Sequence, residues 1–200
     1  MKFEMLIVFL IMLNPFALFL YLKGVMDELT SHDFYIVLLK ASLISYGVFL
    51  LFGLFGYQIF QKFFQITFES FRIFGGIIIF AYAFKFIMQG SKTFIQVKED
   101  LEDLSSEIAL PFMVGAGTIS ISVLIGYRNN FFMTAFNIGL ILLINYLIIV
   151  GLKVLKDTLD KNVLRKAFDK YSNIFVRLNG FLAGAIGVDM VLKGILTMFK

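Results

Sequence analysis

In a chain of 200 residues, 60% hydrophobic side chains and a mean hydropathy of +0.89 exceed the ~45–50% apolar share of soluble domains, which predicts an integral membrane protein in the lipid bilayer. The absence of Cys excludes disulfide frameworks, thiolate catalysis and cysteine-ligated metal or iron–sulfur sites. The net charge of +4 lies mostly in one loop, which is a topology signal rather than a nucleic-acid footprint, so no nucleic-acid partner is expected.

The first apolar run is Phe3 to Leu22, about 20 residues, enough to cross a ~30 Å hydrocarbon core. Tyr21-Leu22-Lys23 offers no small-residue cleavage site, so the run reads as a retained transmembrane helix. Asn14-Pro15 falls at its middle, where Pro15 disfavours helical geometry at Asn14 and should break the helix near the bilayer centre. A polar loop follows from Lys23 to Asp33, in which the lone His32 reads as a solvated loop or cap residue rather than a metal ligand.

The second run is Phe34 to Tyr57 and the third Phe71 to Gln89, opened by Arg72 and Gly75-Gly76. Ser91 to Glu107 carries Glu99, Asp100, Glu102, Asp103 and Glu107 and is too polar to insert, so 91–107 is expected to be an acidic loop. The fourth run is Ile108 to Tyr127, the fifth Phe131 to Leu152 and the sixth Ile174 to Met198. Lysines and arginines concentrate between the fifth and sixth runs, which places the odd-numbered loops in the cytoplasm and both termini outside the cell membrane. Leu152 to Tyr171 could also form an amphipathic surface helix with Val154, Leu155, Leu159, Val163, Leu164 and Phe168 as its apolar side.

The fourth run organises the reading. Gly115 and Gly117 flank Ala116, each costing ~1 kcal/mol against alanine in a helix, and Pro111 removes a backbone donor upstream. Local unwinding around Gly115 to Gly117 is expected, with Thr118, Ser120 and Ser122 adding hydroxyls nearby. Irregular backbone at membrane depth persists only when buried in protein or lining a wet cavity, where it offers carbonyls, amides and helix ends to a ligand.

The two halves repeat the same order of features: a broken span, a span with polar residues at membrane depth, and a span opening with arginine. Arg72-Ile73-Phe74-Gly75 is echoed by Arg177-Leu178-Asn179-Gly180. With three spans per half the second half must enter inverted, which predicts an all-α polytopic protein of six transmembrane helices in two inverted three-helix repeats, about 1–90 and 108–200, within one domain of 1–200. The first and fourth helices should be discontinuous. The glycines of the third and sixth spans, including Gly184 and Gly187, fit close helix packing.

Within the membrane, Asp189 has two readings: an i,i+4 pair with Lys193, or a proton or cation coupling site. Asn145 suits helix–helix hydrogen bonding, and Asn137 lies near the breaks in depth and could serve a substrate. No catalytic triad, nucleotide-binding glycine loop or metal cluster is present in the pattern, so neither an enzyme nor a cofactor or metal is expected.

Asn14-Pro15, Arg72-Ile73-Phe74-Gly75-Gly76, Pro111 through Gly115-Ala116-Gly117-Thr118-Ile119-Ser120, and Arg177-Leu178-Asn179-Gly180 together resemble the MarC family, also called the SnatA-like neutral amino acid transporter family. The resemblance covers essentially the whole chain. It implies a secondary transporter of small neutral amino acids such as glycine and alanine, driven by a proton or sodium gradient. This chain departs from the family pattern at Ala116, where proline usually separates the two glycines. The substrate is expected between the breaks, against Asn14, Pro15, Pro111, Gly115, Ala116, Gly117, Thr118, Ser120 and Asn137, with Asp189 as the coupling-ion candidate. A channel or exporter for another small solute, or a scaffold without transport, are the competing readings, and a homo-oligomer is compatible with each.

Overall fold

The computed structural model describes residues 3–59, 62, 65, 67–89, 101–158 and 164–199; the first half of the acidic stretch, 91–100, lies outside them. The described residues are helical, with no strand among them. In order they form α1 (Phe3–Leu13), α2 (Pro15–Tyr21), α3 (Lys23–Glu28), α4 (Ser31–Gln58), α5 (Phe68–Gln89), α6 (Leu101–Ile108), a π-helical turn (Ala109–Met113), α7 (Ala116–Arg128), α8 (Phe131–Thr158) and α9 (Leu164–Met198). Three described helices are long and apolar enough to cross a membrane, Ser31–Gly56, Phe131–Thr158 and Arg177–Met198, and Leu6–Tyr21 forms a shorter apolar segment. Apolar side chains such as Leu43, Phe80, Phe136 and Leu147 are exposed on the outside, the surface of a protein solvated by lipid.

Sequence signals set the helix limits. Thr30 caps α4 by accepting the amide of Asp33 at 3.1 Å and donating its hydroxyl to the Asp33 carboxylate at 2.7 Å. Asn130 plays the same part for α8, its side chain accepting from Met133 at 3.0 Å. His32 is exposed in the first turn of α4, a capping-turn residue as expected.

Two long pairs form the body. Tyr46 donates to the Ala135 carbonyl at 3.2 Å, and the Lys153 ammonium lies 5.8 Å from the Phe34 ring centre, so α8 runs antiparallel to α4. Both helices are 28 residues long. α5 makes its most extensive packing with α9, also antiparallel: Arg177 donates to the Ile87 carbonyl at 2.5 Å at one end, and Gly194 abuts Ile73 and the Glu69 carbonyl at the other. Around the first pair, α1 and α2 lie against α8, and α6 and α7 lie against α4.

Glycines allow the closest crossings. A Cβ on Gly76 would stand 2.6 Å from the Gly187 carbonyl oxygen, and one on Gly187 would stand 2.7 Å from that of Gly76. Rigid backbone meets rigid backbone there, so Gly187→Ala is expected to lower stability by ~1–3 kcal/mol, the usual cost of overpacking. Thermal melting of the detergent-solubilised protein checks this; an unchanged midpoint would show that the crossing is loose.

Two loop expectations are corrected. The second half of the acidic stretch is helix α6, because Leu101, Leu104 and Ile108 recur at helical spacing and Leu104 and Ile108 bury fully within the core cluster. The loop expected after the fifth run begins later, because α8 continues through Thr158; of the surface helix expected over 152–171, residues 159–163 and the side chains of Leu164 and Phe168 lie outside the described residues. Within α8, Val154 and Leu155 are exposed and Lys153 and Lys156 are buried. The lysines tolerate burial because each has an anionic partner, Lys153 with Asp157 at 2.8 Å and Lys156 with Asp27 at 2.7 Å. The second pair also brings the end of α8 and the C-terminal part of α3 to the same end of the molecule.

Candidate functional site

Both breaks occur, and each has a local cause. At Asn14 the backbone takes the left-handed conformation (φ 47°, ψ 67°), a region in which asparagine is among the best-tolerated non-glycine residues. Its own amide still bonds the Leu10 carbonyl at 3.1 Å, closing α1, and its carbonyl accepts from Leu18 at 3.0 Å, opening α2. The Asn14 side-chain oxygen caps α2 by accepting from the Ala17 amide at 3.2 Å. Pro15 is buried as the first residue of α2, where its missing N–H costs nothing.

The second break is built in two steps. Leu110, preceding proline, leaves helical geometry (φ −118°, ψ 112°), as proline demands of its predecessor. Val114 and Gly115 are then extended, and α7 starts afresh at Ala116. Thr118 ties the junction together: its hydroxyl accepts from the Gly115 amide at 2.9 Å and lies 3.1 Å from the Met113 carbonyl, to which it donates. Ser120 donates to the Ala116 carbonyl at 2.6 Å and so is spent on its own helix.

The breaks face one cavity of about 510 Å³, bounded by both of them, by α5 and by α9. Of the residues expected at the site, Asn14, Gly115, Ala116, Gly117 and Thr118 line it. Pro15 sits behind the lining, and Ser120 and Asn137 are likewise outside it. The Pro111 side chain lies outside the described residues, though its backbone belongs to the π turn whose neighbours Leu110 and Phe112 do line the cavity. Asn137 is buried on α8 with its side-chain nitrogen lacking a hydrogen-bond partner, and both polar atoms of the fully buried Asn145 lack one too. Asp189 is on the exposed side of α9, paired with Lys193 at 2.8 Å and absent from the lining.

Two residues not singled out for the site from the sequence complete its polar end. The Asn14 amide donates to the Asn179 side-chain oxygen at 2.9 Å, and the Asn179 amide donates to the Tyr21 hydroxyl at 2.7 Å. This chain of bonds joins the first break to α9 across 165 positions of sequence. The signal available was a fourth asparagine in an apolar span, which like Asn14, Asn137 and Asn145 needs a partner in lipid. Tyr21 and Tyr82 both pack near Phe112, with ring centres 6.0 and 6.2 Å away, forming an aromatic wall on the same cavity.

The electrostatics of the site come from helix ends. The reversal at Asn14 leaves the last-turn carbonyls of α1 (Ile11, Met12, Leu13) without donors four residues on, and Pro15 has none to give. The first-turn amides of α7 (Ala116, Gly117, Thr118) have no intrahelical acceptors. All six of these residues line the one cavity, so a partly negative helix end and a partly positive one share it. Such a pair can hold the opposite charges of a zwitterion without any ionised side chain.

Residues 1–199 match a family described as MarC family integral membrane protein. Among curated proteins the chain is 28% identical to a UPF0056 membrane protein of Methanocaldococcus jannaschii over 82% of this chain and 73% of that protein. It is 26% identical to a UPF0056 membrane protein of Aquifex aeolicus, over 96% and 90% of the two lengths. A UPF0056 membrane protein of Pyrococcus horikoshii is 21% identical, over 92% and 88%. No solved structure matches the chain significantly.

Proposed function

The chain belongs to the MarC family of integral membrane proteins, and from that premise we propose that it is a secondary active transporter of small neutral amino acids, glycine- and alanine-like, coupled to an ion gradient. The observation that carries the reading is the meeting of two half-helix ends of opposite polarity at one cavity. The substrate carboxylate would take the first-turn amides of α7, and its ammonium the last carbonyls of α1 together with the Asn14 side chain. No ionised side chain has to be desolvated, which suits a net-neutral solute.

The architecture proposed for this work is six spans in two inverted repeats. The antiparallel pairing of α4 with α8 and of α5 with α9 supports it, as does the reciprocal packing of each broken segment on the long helix of the other half. Rocking of the α5–α9 pair against the remaining helices would open the cavity first to one side and then the other. The odd-numbered loops are proposed to be cytoplasmic, with both termini outside; the Lys156–Asp27 pair joins two of those loops' flanks.

Binding to the folded state alone raises stability by RT ln(1 + [L]/Kd), ~2.7 kcal/mol at a hundredfold excess over Kd. Millimolar neutral amino acids are therefore expected to raise the melting temperature of the purified protein, and arginine or glutamate to leave it unchanged. No shift with any neutral amino acid, in a protein that melts cooperatively, would sink the proposal. Asp189 pairs with Lys193 away from the cavity, so Asp189→Asn is expected to leave the gradient dependence of uptake into liposomes intact. Loss of that dependence would restore Asp189 as the coupling group.

A further inference from the structure

Four cavity-lining residues from four different elements meet on one side of the breaks. Tyr21 ends α2, Phe112 stands in the π turn ahead of the second break, Tyr82 lies about two turns beyond Gly75 on α5, and Asn179 faces them from α9. At this end of the molecule α2 and α5 finish and α6 and α9 enter; it is the end that the Lys156–Asp27 pair also marks. Resting on the carrier reading above, we propose that these four side chains are the gate between the cavity and the face that carries the odd-numbered loops, and that the gate is shut in this structure.

Their contacts form a closed ring. The Phe112 ring centre lies 6.0 Å from that of Tyr21 and 6.2 Å from that of Tyr82, so one ring links α2 to α5 through the π turn. Asn179 donates to the Tyr21 hydroxyl at 2.7 Å and accepts from the Asn14 amide at 2.9 Å, which links α9 to α2. The remaining side is closed by α5 against α9, where a Cβ on Gly184 would stand 3.5 Å from that of Ala83, the neighbour of Tyr82. Aromatic side chains suit such a closure because each covers a large area and turns about only two torsions, so the passage can open without remodelling the backbone.

The α5–α9 pair is held to the two breaks by contacts of different kinds. At the second break Gly75 lies so close to Ala116 that no Cβ fits, and the Met190 sulfur stands 3.8 Å from a Cβ position on Gly117. Close packing of this sort cannot part without leaving a void, so it serves as the pivot. At the first break the link is a pair of hydrogen bonds between neutral side chains, which exchange for other partners at low cost. Two such bonds bias a two-state equilibrium by about 5–150-fold, a bias that the differential affinity of a ligand can reverse. Rocking of the pair about the second break therefore parts Asn179 from Asn14 and Tyr21. Asn14 belongs both to the ring and to the proposed ammonium seat, so occupancy of the seat and closure of the gate are coupled through one side chain.

The chain contains no Cys, so a single Ala183→Cys on the cavity lining, one turn along α9 from Asn179, reports access directly. Its labelling by a membrane-impermeant thiol reagent is measured from each face, in right-side-out and in inverted membrane vesicles, with the gate intact and with Asn179→Ala or Tyr21→Phe added. Asn179→Ala is expected to speed labelling from the odd-loop face roughly tenfold or more and to leave the opposite face within about twofold. Tyr21→Phe keeps the ring and removes only the hydroxyl that accepts from Asn179, so it should give a smaller rise at the same face. A rate from the odd-loop face that neither substitution raises would overturn the gate, and so would equal rises at both faces, which signal general loosening. The readout needs no substrate: one-sided acceleration in a protein that no amino acid stabilises leaves the gate standing and sinks the carrier reading alone.

Discussion

Asn14→Leu is expected to lower the affinity for any amino acid ligand at least a hundredfold and to destabilise the unliganded protein by ~2–4 kcal/mol. Three losses add. Leucine in the left-handed region costs ~1–2 kcal/mol, removal of the α2 cap ~0.5–2, and the Asn179 side chain loses the donor that now satisfies it, ~1–3 if it stays buried. The sum is held below the maximum because Asn179 keeps its bond to Tyr21 and is only part-buried. Asn14→Gly separates the two roles. Glycine adopts the same backbone without strain and is a fair helix cap, so the strain and most of the capping loss should be relieved, while the amide bridge and the ligand contact remain lost. Melting curves with and without alanine distinguish the variants; ligand affinity in Asn14→Gly equal to the parent's would remove Asn14 from the site.

The contrast between Asn14 and its partner shows what a sequence makes readable. Asn14-Pro15 announces a break because proline's effect is local: a missing donor and a steric restriction on the residue before it. Gly115 to Gly117 announces the second for a similar reason, low helix propensity concentrated in three residues. Membership of one cavity follows only from placing both breaks at the same depth. The Asn14–Asn179 bond depends on the register of α9 against α2, which no local rule supplies, so Asn179 read as part of an arginine-and-glycine motif. The buried Lys156 of α8 illustrates the complementary case: hydropathy puts lysine outside, and only the arrival of Asp27 from a distant turn reverses it. Helix α6 was hidden by its charges, although Leu101, Leu104 and Ile108 already carried a helical period. Ser120 was over-assigned, since a hydroxyl in a helix satisfies itself on the carbonyl one turn back before it serves a ligand.

Gly117→Leu is expected to abolish ligand binding without harming the fold, a combination that few cavity residues permit. A Cβ at Gly117 would meet only the sulfur atoms of Met12 at 3.5 Å and Met190 at 3.8 Å, ordinary contacts with the ends of flexible side chains. Leucine is also the better helix former by up to ~1 kcal/mol, so the melting temperature of the unliganded protein should stay level or rise slightly. The new side chain, however, occupies the cavity beside the α7 amides, where the proposed carboxylate must come within hydrogen-bond distance. The loss of affinity should exceed a hundredfold for glycine and alanine alike. Gly75 supplies the matching control from the opposite wall. A Cβ there collides with the Ala116 side chain, so Gly75→Leu should fail by unfolding, with no ligand able to rescue the melting transition fully. Retained binding in Gly117→Leu would mean that the carboxylate does not sit at the start of α7. The zwitterion would then have to be held at the first break alone, by the Asn14–Asn179–Tyr21 chain, and the two-break arrangement would serve packing rather than recognition.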